Sequence, residues 1–193
     1  MRLKILYILV LGLLVRGNYA QAQIKYEREY KLKPTEIPMP AKIFVDSCKF
    51  STQITWYKEE SQDGKSIEAK LKHKGKKYSI EFDTVGLLQD MEIQIRESEI
   101  FSSVKEKMLE YLAQNFIRFK FIGVQLQLTG KRKDLISLLR AEGRIEGITQ
   151  KFEVIIKGKK DKTHSLYEIL FNDQGEMERI SQIKTRNTDN LDF

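Results

Sequence analysis

Residues 78–86, YSIEFDTVG, and residues 167–175, YEILFNDQG, are two copies of one pattern. Tyr78, Ile80, Phe82 and Gly86 in the first copy correspond to Tyr167, Ile169, Phe171 and Gly175 in the second. Alternation with a period of two is one face of a strand, and the glycine closes the turn that follows. Each copy has an alternating run before it and another after it. The pattern predicts an α+β fold of two tandem units, each a helix plus antiparallel strands, with the helices packed on one face of the sheet.

In the first unit, residues 40–97, Pro40 opens a helix over about 41–48. Ile54 and Trp56 begin a strand, SQDG at 61–64 breaks it, and Ile67, Ala69 and Leu71 alternate on the next. His73-Lys74-Gly75-Lys76 is a hairpin turn, and Met91, Ile93 and Ile95 share a face of a fourth strand. In the second unit, residues 98–183, Ser103 to Glu106 reads as a capping box. Phe101, Val104, Met108, Tyr111, Leu112 and Phe116 then form one apolar helical stripe over about 100–115. Gly123 shifts the phase of the strand around it, which marks a bulge. The second unit also carries an insertion at 130–150, with Leu135, Leu138 and Leu139 on a short amphipathic helix, read either as a lid or as a site of function. Residues 23–39 form an extended lead-in, and 184–193 a polar tail. The remaining strand positions are mostly Lys, Glu, Gln and Ser, so the free sheet face is expected to be solvated.

Residues 1–22 read as a signal peptide. Arg2 and Lys4 precede an apolar run, Ile5 to Val15, and Ala20-Gln21-Ala22 is a cleavage site. The run is too short to span a bilayer, and Cys48 stands far from the cleavage point. Cleavage after Ala22, with Ala20 as the weaker site, predicts a periplasmic or secreted protein without a transmembrane span. Removing these 22 of 193 residues leaves 171, and losing Arg2, Lys4 and Arg16 takes the net charge from +7 to +4. Export and the lack of any nucleic-acid-reading motif argue against a nucleic-acid partner. Cys48 is the only cysteine, so no intrachain disulfide exists; it reads as a small buried side chain or a reactive thiol.

The helix, the strand with Trp56, and the repeated Tyr-x-Ile-x-Phe pattern resemble the PepSY-like family. That group is related in fold to the β-lactamase-inhibitor-protein repeats, and the nearest likeness is to exported PepSY-like proteins of Bacteroidetes-type bacteria. The matching stretches are EAKLKHKGKKYSIEFDTVG (68–86), QDMEI (89–93), VQLQLTG (124–130), FEVIIKG (152–158) and LYEILFNDQG (166–175), within about residues 40–183. The resemblance implies a non-catalytic module, in some members one that binds or inhibits enzymes. The 130–150 insertion departs from the pattern.

No nucleophile elbow, P-loop or dinucleotide glycine pattern is present. His73 and His164 lie in hairpin loops without ligand-spaced neighbours, so neither a metal, a cofactor nor a catalytic residue is assigned. The candidate binding residues are Trp56, Lys74, Lys76, Lys159 and Lys160. Trp56 reads as a core residue or as an aromatic anchor on the open sheet face. The lysines crowd the two hairpin tips, as guards against edge aggregation or as one paired basic patch. The expected function is an exported binding module of the cell envelope, not an enzyme, whose partner is an envelope protein or an anionic envelope component. The alternative is a carrier holding a small apolar ligand between helices and sheet.

Overall fold

A computed structural model describes residues 23–62, 64–140 and 146–184. The signal-peptide reading and almost all of the polar tail lie outside these residues. The strands are β1 (Gln23–Lys25), β2 (Glu27–Lys31), β3 (Ile54–Ser61), β4 (Gly64–His73), β5 (Lys76–Phe82), β6 (Leu88–Ile95), β7 (Arg118–Gly130), β8 (Ile148–Lys160), β9 (Thr163–Asn172) and β10 (Met177–Ile183). The helices are α1 (Met39–Ser47), α2 (Ser102–Asn115) and α3 (Arg132–Arg140). All ten strands belong to one sheet, in the order β1-β10-β9-β8-β7-β6-β5-β4-β3-β2.

The two ends of that order are neighbours in the chain. β1 pairs parallel with β10, and β2 pairs antiparallel with β3. Only Tyr26 separates β1 from β2, so a single N-terminal strap carries both edges of the sheet. The sheet therefore curls until its edges meet at this strap, giving a nearly closed barrel. This overturns the expectation of two α+β units with helices laid on an open sheet. The lead-in supplies β1 and β2, whose polar sequence, QIK and EREYK, shows no apolar face to betray a strand.

The apolar positions of the strands face outward, under the helices, in two clusters. Ala41, Phe44 and Val45 of α1 pack with Trp56, Ala69, Ile80, Phe82 and Met91, and Leu135 and Leu139 of α3 join them. Met108 and Leu112 of α2, with Phe116, pack against Val154, Ile156, Tyr167, Ile169 and Phe171. The 130–150 segment thus contributes a helix that covers the first cluster. The bulge appears where Gly123 shifts the phase, as a register slip between Phe121 and Gly123. Residue Ser102 starts α2 without a side-chain cap, so the capping-box reading of Ser103 to Glu106 does not hold.

The turns after the two repeated strands are built alike. Asp83 Oδ1 accepts from the backbone N–H of Val85 and Leu87, and Asn172 Oδ1 accepts from those of Gln174 and Glu176. Gly86 and Gly175 both have positive φ, 91° and 81°. A side chain at Gly86 would meet Pro38 and the Ala41 nitrogen at 2.8 and 2.9 Å, and one at Gly175 would meet the Val104 carbonyl at 2.5 Å. Each glycine lets its turn press against the first turn of a helix, which only a residue without Cβ allows.

Candidate functional site: an acidic belt and a basic mouth

The strand positions that alternate with the outer core line the inside of the barrel. Antiparallel partners directly opposite one another share a face. The register therefore aligns Glu29 with Glu59, Glu68 with Glu81, Glu81 with Asp90, and Ser79 with Glu92 across neighbouring strands. Glu153 and Glu168 continue the belt on β8 and β9. These are the residues expected on a solvated face, yet Glu68, Glu92, Glu153 and Glu168 are only 4–8 % exposed. Alternation shows that a face is polar; it does not show whether the sheet wraps around it.

Buried carboxylates must be paired or take up protons. Both responses occur here. Lys25 of the strap binds Glu168 and lies 2.7 Å from Glu27. Burial pulls the Lys25 ammonium down, but Glu153, Glu168 and Glu27 outweigh it and hold it well above the usual lysine range. Lys70 reaches Glu29 at 2.8 Å and Glu68 at 3.2 Å, and Ser79 donates to Glu68. The amide of Gln125 donates to Glu92, and that of Gln127 to Asp90 at 3.2 Å. Protons answer the remaining charge. Burial first, then Asp90, pushes Glu81 up to about 9. Burial and then Glu168 push Glu153 up to about 8, and burial and Glu27 do the same for Glu59. Asp90 rises to about 6, and Glu92 stands well above the carboxylate range, both chiefly through burial. At neutral pH the belt is a partly protonated network.

At one end of the same inner face the sign reverses. Lys72 lies directly opposite Lys77, Lys120 opposite Lys157, and Arg118 opposite Lys159, which in turn opposes His164. All but the partly buried Lys159 are exposed, and none makes an ion pair among the described residues. Arg118, Phe119, Lys120, Lys157 and His164 line a shallow cleft of about 190 Å³. Like charges placed directly opposite destabilise a sheet. Three such pairs at one mouth form a surface that local pairing does not neutralise.

The expected site residues separate on this frame. Trp56 is 9 % exposed, tilted against Phe82 at 6.0 Å, and so is a core side chain rather than an anchor on an open face. Lys76 binds Glu99 at 2.6 Å, and this bond holds the Glu99 carboxyl down to about 2. Lys160 stacks over Phe116 and Tyr167 at 4.6 and 5.3 Å, and burial lowers its ammonium. Lys74 is exposed at a left-handed turn position, φ 48°. Lys159 lies on the inner face within the mouth. Both hairpin tips are at the same end of the sheet but four strands apart, roughly 19 Å at ~4.8 Å per strand. The tips alone are too distant to act as one patch, since exposed charges are screened beyond about 10 Å at 0.1 M salt. Arg118 and Lys120 on β7, between the tips, bridge that gap. They escaped the sequence reading because their charges are scattered in the chain, and only the register gathers them. Cys48 is buried, and burial pushes its thiol up to about 11, which rules against the reactive-thiol reading.

A BLIP-like protein from Bacteroides fragilis, known from a crystal structure, superposes on this chain with a TM-score of 0.47 at 13 % identity, over 80 % of this chain and 94 % of that one. No family model and no curated protein matches the chain, so the PepSY-like resemblance gains no support from them. Among the described residues no helix is long and apolar enough to cross a membrane.

Proposed function

We propose that the protein is an exported, non-catalytic binding module of the bacterial envelope, which engages an anionic partner through the basic mouth of its barrel. The observation that carries this reading is the set of facing like-charged pairs, Lys72–Lys77, Lys120–Lys157 and Arg118–Lys159, exposed except for the partly buried Lys159 and without ion-pair partners among the described residues. Like charges placed directly opposite one another cost stability in the free protein. An anionic polymer, or an acidic segment of an envelope protein, supplies the missing charge. The carrier alternative has less support. A cleft between α1, α3 and the turn at Gly86 measures about 230 Å³, below the ~300 Å³ at which ligand pockets ordinarily begin.

The chain from Gln23 onward, applied to an anionic polysaccharide surface, binds at low salt and releases as ionic strength approaches the physiological value. K120Q/K157Q abolishes that binding with the fold unchanged by circular dichroism. Salt-insensitive binding, or binding untouched by the double substitution, refutes the proposal. For export, mass spectrometry of the native protein finds Gln23 at the N-terminus; a retained Met1 refutes it.

A further inference from the structure

Within the acidic belt, on the side away from the basic mouth, three carboxylates from three adjacent strands converge. One oxygen each of Glu29 (β2), Glu59 (β3) and Glu68 (β4) lies within 4.8 Å of the others. Glu29 and Glu59 are direct cross-strand partners, a like-charge pair that a sheet disfavours. The ammonium that reaches the cluster's carboxylates directly, Lys70, is taken up by Glu29 and Glu68, while Lys25 acts on Glu59 only through its field. Glu59 makes no hydrogen bond or ion pair among the described residues.

A second observation is independent of these charges. Ser66 stands directly opposite Glu59 and two residues before Glu68, which puts its side chain on the same inner face. Ser66 is 9 % exposed, and its hydroxyl oxygen is fully buried without a hydrogen-bond partner. A buried hydroxyl is ordinarily satisfied, and this one is left unpartnered on the face that carries the three carboxylates, opposite Glu59.

We propose that Glu29, Glu59, Glu68 and the Ser66 hydroxyl form a site for a hard divalent cation, calcium in the first instance. All four donors are oxygens, the ligand type that calcium takes in irregular sets of six to eight. Calcium–oxygen distances of about 2.3–2.6 Å place ligands on opposite sides of the ion roughly 4.6–5.2 Å apart, so one ion spans the cluster. Lys70 is the internal competitor that the ion displaces from Glu29 and Glu68. Because Glu29 belongs to the strap, a bound ion ties the closing strand to β3 and β4.

Terbium(III), a luminescent stand-in for calcium, tests this directly. Tyr57 lies beside the site, its ring 5.4 Å from the Lys70 ammonium, and serves as the sensitiser. The wild-type chain gives tyrosine-sensitised terbium emission that calcium competes away, and about 1 mM calcium, the weak end for calcium modules, raises Tm by several degrees. E59Q loses both signals while keeping its circular dichroism spectrum, S66A weakens them several-fold, and K70Q strengthens calcium binding about tenfold by removing the competitor. Absence of sensitised emission, or emission and Tm shift equal in wild type and E59Q, overturns the site. If E59Q does not fold, S66A decides: unchanged calcium affinity there overturns it too. Both readouts are independent of polyanion binding, so failure of either proposal leaves the other standing.

Discussion

The two ends of the barrel's inner face are made of the same strands and face the same way, yet they solve the charge problem oppositely. Toward the belt, Glu68, Glu92, Glu153 and Glu168 are sealed from water and answered by Lys25, Lys70, amide donors and protons, with one Glu68 oxygen left without a hydrogen bond. Toward the mouth, Lys72, Lys77, Arg118, Lys120 and Lys157 stay in water and make no ion pair among the described residues. Enclosure makes charge a matter of folding stability, and exposure makes it a matter of binding. Substitutions at the two ends should therefore separate stability from affinity.

The largest effect is expected where the belt is pinned to the strap. K25M leaves buried Glu168 with only the more distant Arg179 guanidinium, 3.8 Å away, and should cost about 3 kcal/mol, the lower end of what breaking a buried pair from one side costs. The double variant K25M/E168L should recover most of that loss, because it removes the stranded charge as well. Denaturant melts measure both; a loss under about 1 kcal/mol for K25M would mean that the belt is wetter than the structure shows.

A smaller effect, opposite in sign, is expected within the belt. Glu153 holds its proton to about pH 8 in the folded state, against an ordinary value of 4.5. Below 4.5 it is neutral whether folded or unfolded. As pH rises through the window from 4.5 to 8, the unfolded chain ionises freely while the folded one resists, so stability falls. Thermal melts from pH 5 to pH 8 should show Tm declining with pH. E153Q should flatten that slope and gain roughly 1–3 kcal/mol at pH 8. A Tm that rises across this window would show that Glu153 is ionised in the fold.

The smallest stability change belongs to the mouth. K120Q/K157Q should shift stability by no more than about 0.5 kcal/mol, as exposed positions do. Its effect should appear in binding alone. A melt shifted by several degrees would place these lysines inside the belt's network and end the comparison.

The elements that announce themselves by apolar period were legible in the chain. Ile80, Phe82, Ile169 and Phe171 are fully buried, as are Phe44, Met108 and Leu112 on the helices, while Val104 is only partly so. The glycines of the twin turns were legible because a positive φ and a close helix leave no other choice. The barrel itself was not. Its closure rests on QIK and EREYK, polar strands without a core-facing stripe, and on inner carboxylates that look like a solvated face until the sheet is seen to wrap. The basic mouth was half legible. The lysine-rich hairpins were visible, but two of the four lysines chosen there are spent on Glu99 and on an aromatic pair. The residues that join the patch depend on which positions of β7 and β8 face each other.

The one-residue link at Tyr26 sets an order of assembly. β2 finds β3 about thirty residues later in the chain, but β1 must wait for β10, the last of the described strands. Contacts so distant in sequence pay their loop entropy late and slow the final step of folding. Until the strap docks, the β10 edge is an unpaired row of backbone donors and acceptors, open to a strand from another molecule. A chain cut short before Met177 would never offer β1 its partner, and two edges rather than one would stay exposed. The same strap that seals the barrel is thus the step at which nascent copies are most prone to exchange strands with one another.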